Sequence, residues 1–293
     1  MEVMVDIDYK FHSTLIGKNG QQIMKIMEKS GTLIHFPDVN KSSNIKSNTV
    51  AIKGRSADAI LDVIDHLRSL QPLQMIISIE WDVTSSHIDF WVTLNKLKDE
   101  SLLNFTHHLL NNNIVMVNLK FQARNFGKIF SKLVDNSTYS SLKPLRFQIT
   151  TNVNVDTCLS DKDLYLMENF EIEDVSSDDD VVGLNIKKVT ITGFLHKAPL
   201  ALKYLRGNLV IEVYLSLDFP KLQVLKKVIS KLPIPLKFAI TFQETLYKTN
   251  VCLRTLEKNR NALLIFCEVI LNFFDLLNKR LIEIVYAAQQ HLL

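Results

Sequence analysis

The chain has 293 residues, 47% of them apolar and 22% charged, with a net charge of +3. That composition excludes a mainly disordered chain, and so small a net charge gives no bulk attraction to nucleic acid. The length suits two ordinary domains or four small ones. Cys158, Cys252 and Cys267 are too widely spaced for a disulfide framework or a zinc site. No basic-then-apolar leader opens the chain, so a reducing, cytoplasmic setting is expected. The most apolar run, 262–272, is interrupted by Glu268 and followed by Asp275, Lys279 and Arg280. It is too short and too charged to span a bilayer, so no membrane partner is expected.

In chain order, Val3 to Asp8 alternates as a strand, with Val3, Val5 and Ile7 on one face. A short helical run then reaches Leu15-Ile16-Gly17-Lys18-Asn19-Gly20, where a glycine stands at each end of a loop between two helices. The second helix carries Ile23, Ile26 and Met27 at helical spacing and stops at Gly31. Thr32 to Phe36 reads as a strand, residues 39–48 as a polar loop, and Thr49 to Ile52 as a third strand. A last helix, from about Ser56 to Leu70, turns Ile60, Leu61, Ile64 and Leu67 inward. This order, with a Gly-x-x-Gly between the first two helices, resembles a type I KH domain, a module that binds single-stranded nucleic acid.

The loop has the chemistry for that role. Gly17 and Gly20 allow backbone angles closed to other residues and a close approach to a ligand. The amides and dipole at the start of the next helix favour an anion. Lys18 offers a charge to phosphate and Asn19 a hydrogen bond. Ile16, Ile23 and Ile26, with Ile34 opposite, are expected to floor an apolar groove for bases. Lys41 and Lys46 in the polar loop, and Arg55 after the third strand, are expected to close its other side. Residues 1–73 hold nine Lys/Arg against eight Asp/Glu, so affinity there must be local.

The remainder reads as three further modules. Residues 74–143 offer a strand (Met75 to Glu80), a helix from Lys96 to Leu110, a strand (Ile114 to Leu119) and a helix near Phe126 to Leu133. Lys188 to Gly193, followed by a helix at Pro199 to Leu205 and a strand from Val210, echoes Thr49 to Gly54 with its following helix and strand. The period, about 139 residues, is too long for a solenoid and suggests two copies of a two-module unit. The second copy would start its first strand at Phe147 to Thr150, within residues 144–210, but has no Gly-x-x-Gly. An acidic stretch from Glu171 to Asp180 replaces it, and residues 144–190 hold four Lys/Arg and ten Asp/Glu, a balance that repels phosphate. Its carboxylates read as a solvated loop, not a metal site. Residues 211–293 predict strands at Ile211 to Leu217, Lys237 to Ile240 and Thr249 to Arg254, a helix capped near Asp218 with Pro220 in its first turn, and a long helix from about Asn261. Between Leu263 and Tyr286 that helix is apolar nearly all round, which points to burial in its own core or against another chain. The segment 221–260 is basic, with nine Lys/Arg and two Asp/Glu. It reads as a solvated face or a second RNA surface. The expected fold class is α+β: tandem KH and KH-like modules, three-stranded sheets with helices on one face, and a long C-terminal helix. His107-His108 falls on the predicted 96–110 helix, and adjacent residues there share no face. No catalytic constellation, metal site or cofactor loop is legible.

Two motifs narrow the resemblance: His12-Ser13-Thr14-Leu15-Ile16-Gly17-Lys18-Asn19-Gly20, and the run from Met27 through Ile34-His35-Phe36-Pro37-Asp38. With Lys46-Ser47-Asn48 and Leu70-Gln71-Pro72-Leu73, they make residues 1–80 resemble the Bicaudal-C family. The alternation of KH modules with modules lacking the loop also resembles that family. The resemblance implies a non-enzymatic, cytoplasmic protein that binds messenger RNA and regulates translation or poly(A) tail length in development. It equally allows a scaffold that recruits protein partners, such as a poly(A) polymerase or a deadenylase, with little RNA binding of its own. The family has a further intact loop where this chain has its acidic copy, so a single clamp is expected here.

Overall fold

The computed structural model describes residues 1–38, 46–80, 88–111, 114–134, 145–154, 170–175, 186–218, 226–227, 239–244 and 248–290. Strand β1 (Glu2–Asp6) buries Val3 and Val5. Two short helices follow, α1 (His12–Ile16) and α2 (Gln21–Ser30), the second ended by Gly31 at a left-handed φ of 65°. β2 (Leu33–His35) and β3 (Thr49–Lys53) pair antiparallel, β3 lying between β2 and β1. α3 (Ala57–Leu70) starts at a Ser56 cap, whose Oγ accepts from the Ala59 amide at 3.3 Å, and buries Ile60, Val63, Ile64 and Leu67. The element order expected for the first 70 residues is the order found.

The next elements are β4 (Pro72–Glu80), α4 (Ile88–Asp99), β5 (Leu103–Asn111), β6 (Ile114–Gln122) and α5 (Phe126–Val134). The helix expected at 96–110 is a correction. The helix ends at Asp99, Ser101 takes a φ of 56°, and 103–111 is a strand in register with β6. Leu103, Phe105, His107 and Leu109 alternate along it, and pairing with β6 overrides the helical spacing of the preceding residues. His107 and His108 therefore point to opposite faces of a strand, and His107 meets the Trp91 ring at 5.0 Å.

β7 (Arg146–Asn154), β8 (Phe170–Val175), β9 (Ile186–Phe194) and α6 (Ala198–Gly207) follow. Then come β10 (Val210–Asp218), β11 (Ala239–Glu244), β12 (Lys248–Leu256) and the 31-residue α7 (Arg260–Gln290). Asp178 to Asp180 and the helix expected around Pro220 lie outside the described residues.

The strands form two six-stranded sheets, ordered β11-β12-β10-β1-β3-β2 and β5-β6-β4-β7-β9-β8. Each has an antiparallel seam at its centre, β1 with β10 (Val3 opposite Val213) and β4 with β7 (Ile77 opposite Phe147). The segment β3-α3-β4 crosses from one sheet to the other, and β9-α6-β10 crosses back. Two apolar cores result, one under each sheet. α7 contributes Leu263, Leu264, Cys267, Ile270 and Phe274 to the first. A second stripe of the same helix (Ile265, Val269, Phe273, Leu276) is exposed, so the apolar circumference divides into a core side and an open side.

Polar contacts tie the two sheets to each other and α3 to the turn after β12. The buried Asp8 carboxylate accepts from the backbone and side-chain nitrogens of Asn152, at 3.0 and 2.9 Å. Buried Arg68 of α3 donates to both oxygens of buried Glu257, at 3.1 and 2.5 Å. Burial opposes the Arg68 charge, but Glu257 outweighs it and holds the guanidinium above its usual pKa. Arg206 of α6 stands near Arg68; burial first, and then the Arg68 charge, push its pKa down, and its Nη2 has no hydrogen-bond partner in the structure. Breaking one side of a buried ion pair strands the other charge. Glu257→Gln should therefore lower stability by about 3–5 kcal/mol in urea denaturation. Arg206→Met should leave the midpoint unchanged or raise it, because no bond to Nη2 is lost.

Candidate nucleic-acid interface

The loop between α1 and α2 is built from three unusual backbone conformations. Gly17 has φ 76° and ψ 179°, Asn19 φ 52° and ψ 27°, and Gly20 φ 74° and ψ 4°. The Gly17 conformation is essentially confined to glycine, and a β-carbon there would lie 2.7 Å from Gln22 Cβ. Gly20 has nothing within 4 Å of its missing β-carbon, and its left-handed angles suit asparagine as well. Lys18 and Asn19 are fully presented to solvent at the tip.

His12, at the start of α1, is buried. Its Nε2 donates to the Ile7 carbonyl at 2.9 Å and its ring meets Phe36 edge-on at 5.0 Å. This bond fixes the loop-bearing helix to the end of β1. Asn48, just before β3, fixes the same corner: its side chain accepts from the Tyr9 amide at 2.9 Å and its carbonyl from the Ile7 amide at 2.9 Å. Lys46 precedes it by two residues, which places it at the sheet end that carries α1. Lys41 lies outside the described residues. Arg55 is exposed but follows the end of β3, where Lys53 pairs with Glu2 and Leu33. That is the end of the sheet at which α2 finishes, so the fold does not bring Arg55 to the loop.

Ile23, Ile26 and Ile34 belong to the core below the loop, and Ile16 packs half-buried against them. Met24, in the first turn of α2, is open to solvent beside the loop (51% exposed), and Leu33 (67%) is open at the start of β2, near the end of α2 away from the loop. Both were available from pattern: Leu33 must face away from the core if Ile34 faces it, and Met24 follows Gly20 by one helical turn. Backbone of β2 is tied to α2 by the Ile34 amide donating to Met27 Sδ at 3.2 Å.

Among the described residues no group of three or more His, Cys, Asp or Glu is placed to hold a metal ion. No described helix is long and apolar enough to cross a membrane.

Residues 2–69 match the family described as KH domain. Over 73 residues, 25% of this chain, the sequence is 40% identical to Protein bicaudal C homolog 1 of Homo sapiens, of which the match covers 7%. Protein bicaudal C of Drosophila melanogaster is 28% identical over 239 residues, 74% of this chain and 25% of the fly protein. The matched part thus spans a quarter or less of the length of these curated relatives. A solved structure described as "KH domains" superposes with a TM-score of 0.60, covering 90% of this chain and 81% of that one at 11% identity. That likeness shows a shared fold.

Two tests follow from the geometry. Gly17→Ala should destabilise the protein by about 1–3 kcal/mol, whereas Gly20→Asn should leave the urea midpoint nearly unchanged. The second test uses His12, whose pKa is held below its usual 6.5, first by burial, with partial opposition from the Ile7 bond and Asp8. The folded state therefore prefers neutral imidazole, and this stability is present above the unfolded pKa and lost as pH falls through the folded one. The melting temperature should drop between about pH 7 and about pH 5, and His12→Gln should flatten that dependence.

Proposed function

We propose that this Bicaudal-C-like KH protein holds a few unpaired nucleotides of a messenger RNA at the Gly17–Gly20 loop. RNA binding in general is what the KH-domain match and the Bicaudal C relatives support. The observation that carries the finer reading is the loop itself: glycine-only backbone at Gly17, an exposed Lys18-Asn19 tip, exposed Met24 alongside, and exposed Leu33 farther on, at the start of β2. Phosphates sit against the loop and the first turn of α2, and bases lie on the apolar pair. Lys46 serves the same rim.

In this reading the chain consists of four modules, at 1–73, 74–143, 144–210 and 211–293. The first is the clamp and the others are loopless KH-like supports. A single clamp of about four nucleotides binds weakly, so regulation of translation or tail length in the cytoplasm draws on partner modules or proteins. The exposed α7 stripe of Ile265, Val269, Phe273 and Leu276 favours a second reading, a scaffold for mRNA-regulating proteins.

Labelled single-stranded RNA pools titrated against wild type and a Lys18→Asp, Asn19→Asp variant test the first reading. The variant should bind roughly tenfold or more weakly, since carboxylates at the tip repel phosphate. Equal binding by the two proteins contradicts the clamp. For the scaffold, a chain tethered to a reporter transcript should change its translation or tail length, and Val269→Glu should abolish that change without altering RNA affinity.

A further inference from the structure

The helical side of the molecule carries two open cavities that meet at Asp65. The first, of about 1040 Å³, lies between α2 and α3 and begins at Gly17 and Lys18. Lys25 and Lys29 line it one turn apart on one face of α2, Lys18 of the loop stands at its start, and Arg124, in the turn before α5, closes its far end. The second, of about 570 Å³, continues between α3, α6 and the start of α7. Its cations are Arg68, Lys203, Arg206, Lys258 and Arg260. The lining carboxylates are three, Asp62, Asp65 and Glu257, against nine lysines and arginines in the two cavities together.

This excess of positive charge exceeds the +3 of the entire chain, so the rest of the sequence is net acidic. Glu257 is committed to Arg68 and Arg260, and Asp65 to Arg260. Arg206 is left over: its Nη2 is buried beside Arg68 and bonded to nothing, while the rest of the half-buried side chain lines the second cavity. With Glu257 bonded to Arg68 and Arg260, this end of the trough keeps positive charge that a further anion can neutralise. The sources of the charge lie as far apart in sequence as Lys18 and Arg260, and only the strand exchange between the sheets brings them together.

We propose that the trough is a second phosphate-binding track, along which a single-stranded RNA leaving the Gly17–Gly20 loop continues across α3 to Arg206. A polyanion with its charge on a regular backbone fits a line of cations better than one compact anion does. The track's origin at Gly17 and Lys18 makes it continuous with the clamp. Neither Met24 nor Leu33 lines it, so it reads the backbone and not the bases, and it adds affinity without sequence preference. This inference rests on the clamp reading, and the test separates the two.

The experiment compares RNA pools of about 5 and about 15 nucleotides on three intact proteins, at several salt concentrations. The proteins are wild type, the Lys18→Asp, Asn19→Asp variant, and a Lys29→Gln, Arg124→Gln, Lys203→Gln variant whose three side chains are exposed. Melting temperatures confirm that each is folded. The track predicts that wild type binds the longer RNA more tightly, and that the triple variant loses roughly tenfold on the longer RNA and little on the shorter. Its salt slope on the longer RNA should fall by about 2, from three lost contacts at about 0.7 each. If the triple variant matches wild type on both lengths, the track is wrong and the clamp stands. If the loop variant matches wild type on the shorter RNA, the clamp is wrong, and the longer RNA alone judges the track. Binding of a poly-glutamate peptide in the trough, with no triple-variant effect on RNA, overturns the proposal in favour of an acidic protein partner.

Discussion

An unpaired strand edge exposes a row of backbone donors and acceptors, and this chain closes its two most important edges on itself. β1 is completed by β10, and β4 by β7. Without the first seam, the KH domain at 2–69 would present the outer edge of β1 to solvent. With it, Val3 and Val5 share a core with Val213, Leu215 and Leu263. The loop at 17–20 is therefore carried by a six-stranded sheet that draws on both ends of the chain.

The seams also explain how a repeat becomes one body. β1-to-β6 and β7-to-β12 follow the same strand order, and each half completes a sheet begun by the other. Matching bonds recur at the crossings: Ala123 donates to the Gln71 carbonyl at 3.0 Å, and Glu257 to the Leu209 carbonyl at 2.7 Å. The equivalence fails in one place of consequence. Arg68 finds a carboxylate at Glu257, while the position that would serve Arg206 is occupied by Ala123. The missing acid leaves a positive charge at the junction of the two crossings.

Much of the first domain was legible because its signals are local. Gly31 stops α2, Ser56 caps α3, and Val3 and Val5 alternate on a strand whose inner face is a core. The Lys96 to Leu110 segment misled because apolar residues there satisfy helical spacing for a stretch, and only the pairing of Thr106 with Asn118 settles it as a strand. The groove surface was half legible. Ile23, Ile26 and Ile34 were read as floor and lie buried in the core, while the exposed Met24 and Leu33, which the same alternation and spacing imply, went unread. Arg55 was read as closing the groove's other side together with Lys41 and Lys46; antiparallel pairing puts it at the end of the sheet where α2 finishes, away from Lys46. The trough was not legible at all, because Lys18, Arg124, Arg206 and Arg260 are neighbours only through the strand exchange.

In the proposed function one loop, anchored to β1 through the His12–Ile7 bond and the β1–β10 seam, meets RNA. Hydrogen exchange on the intact chain, with and without single-stranded RNA, tests it most directly. Amides of β1 should be among the slowest to exchange in both states, and RNA should slow exchange across residues 15–24 and at Leu33. The same slowing spread evenly over the chain, or absent from 15–24, would contradict it.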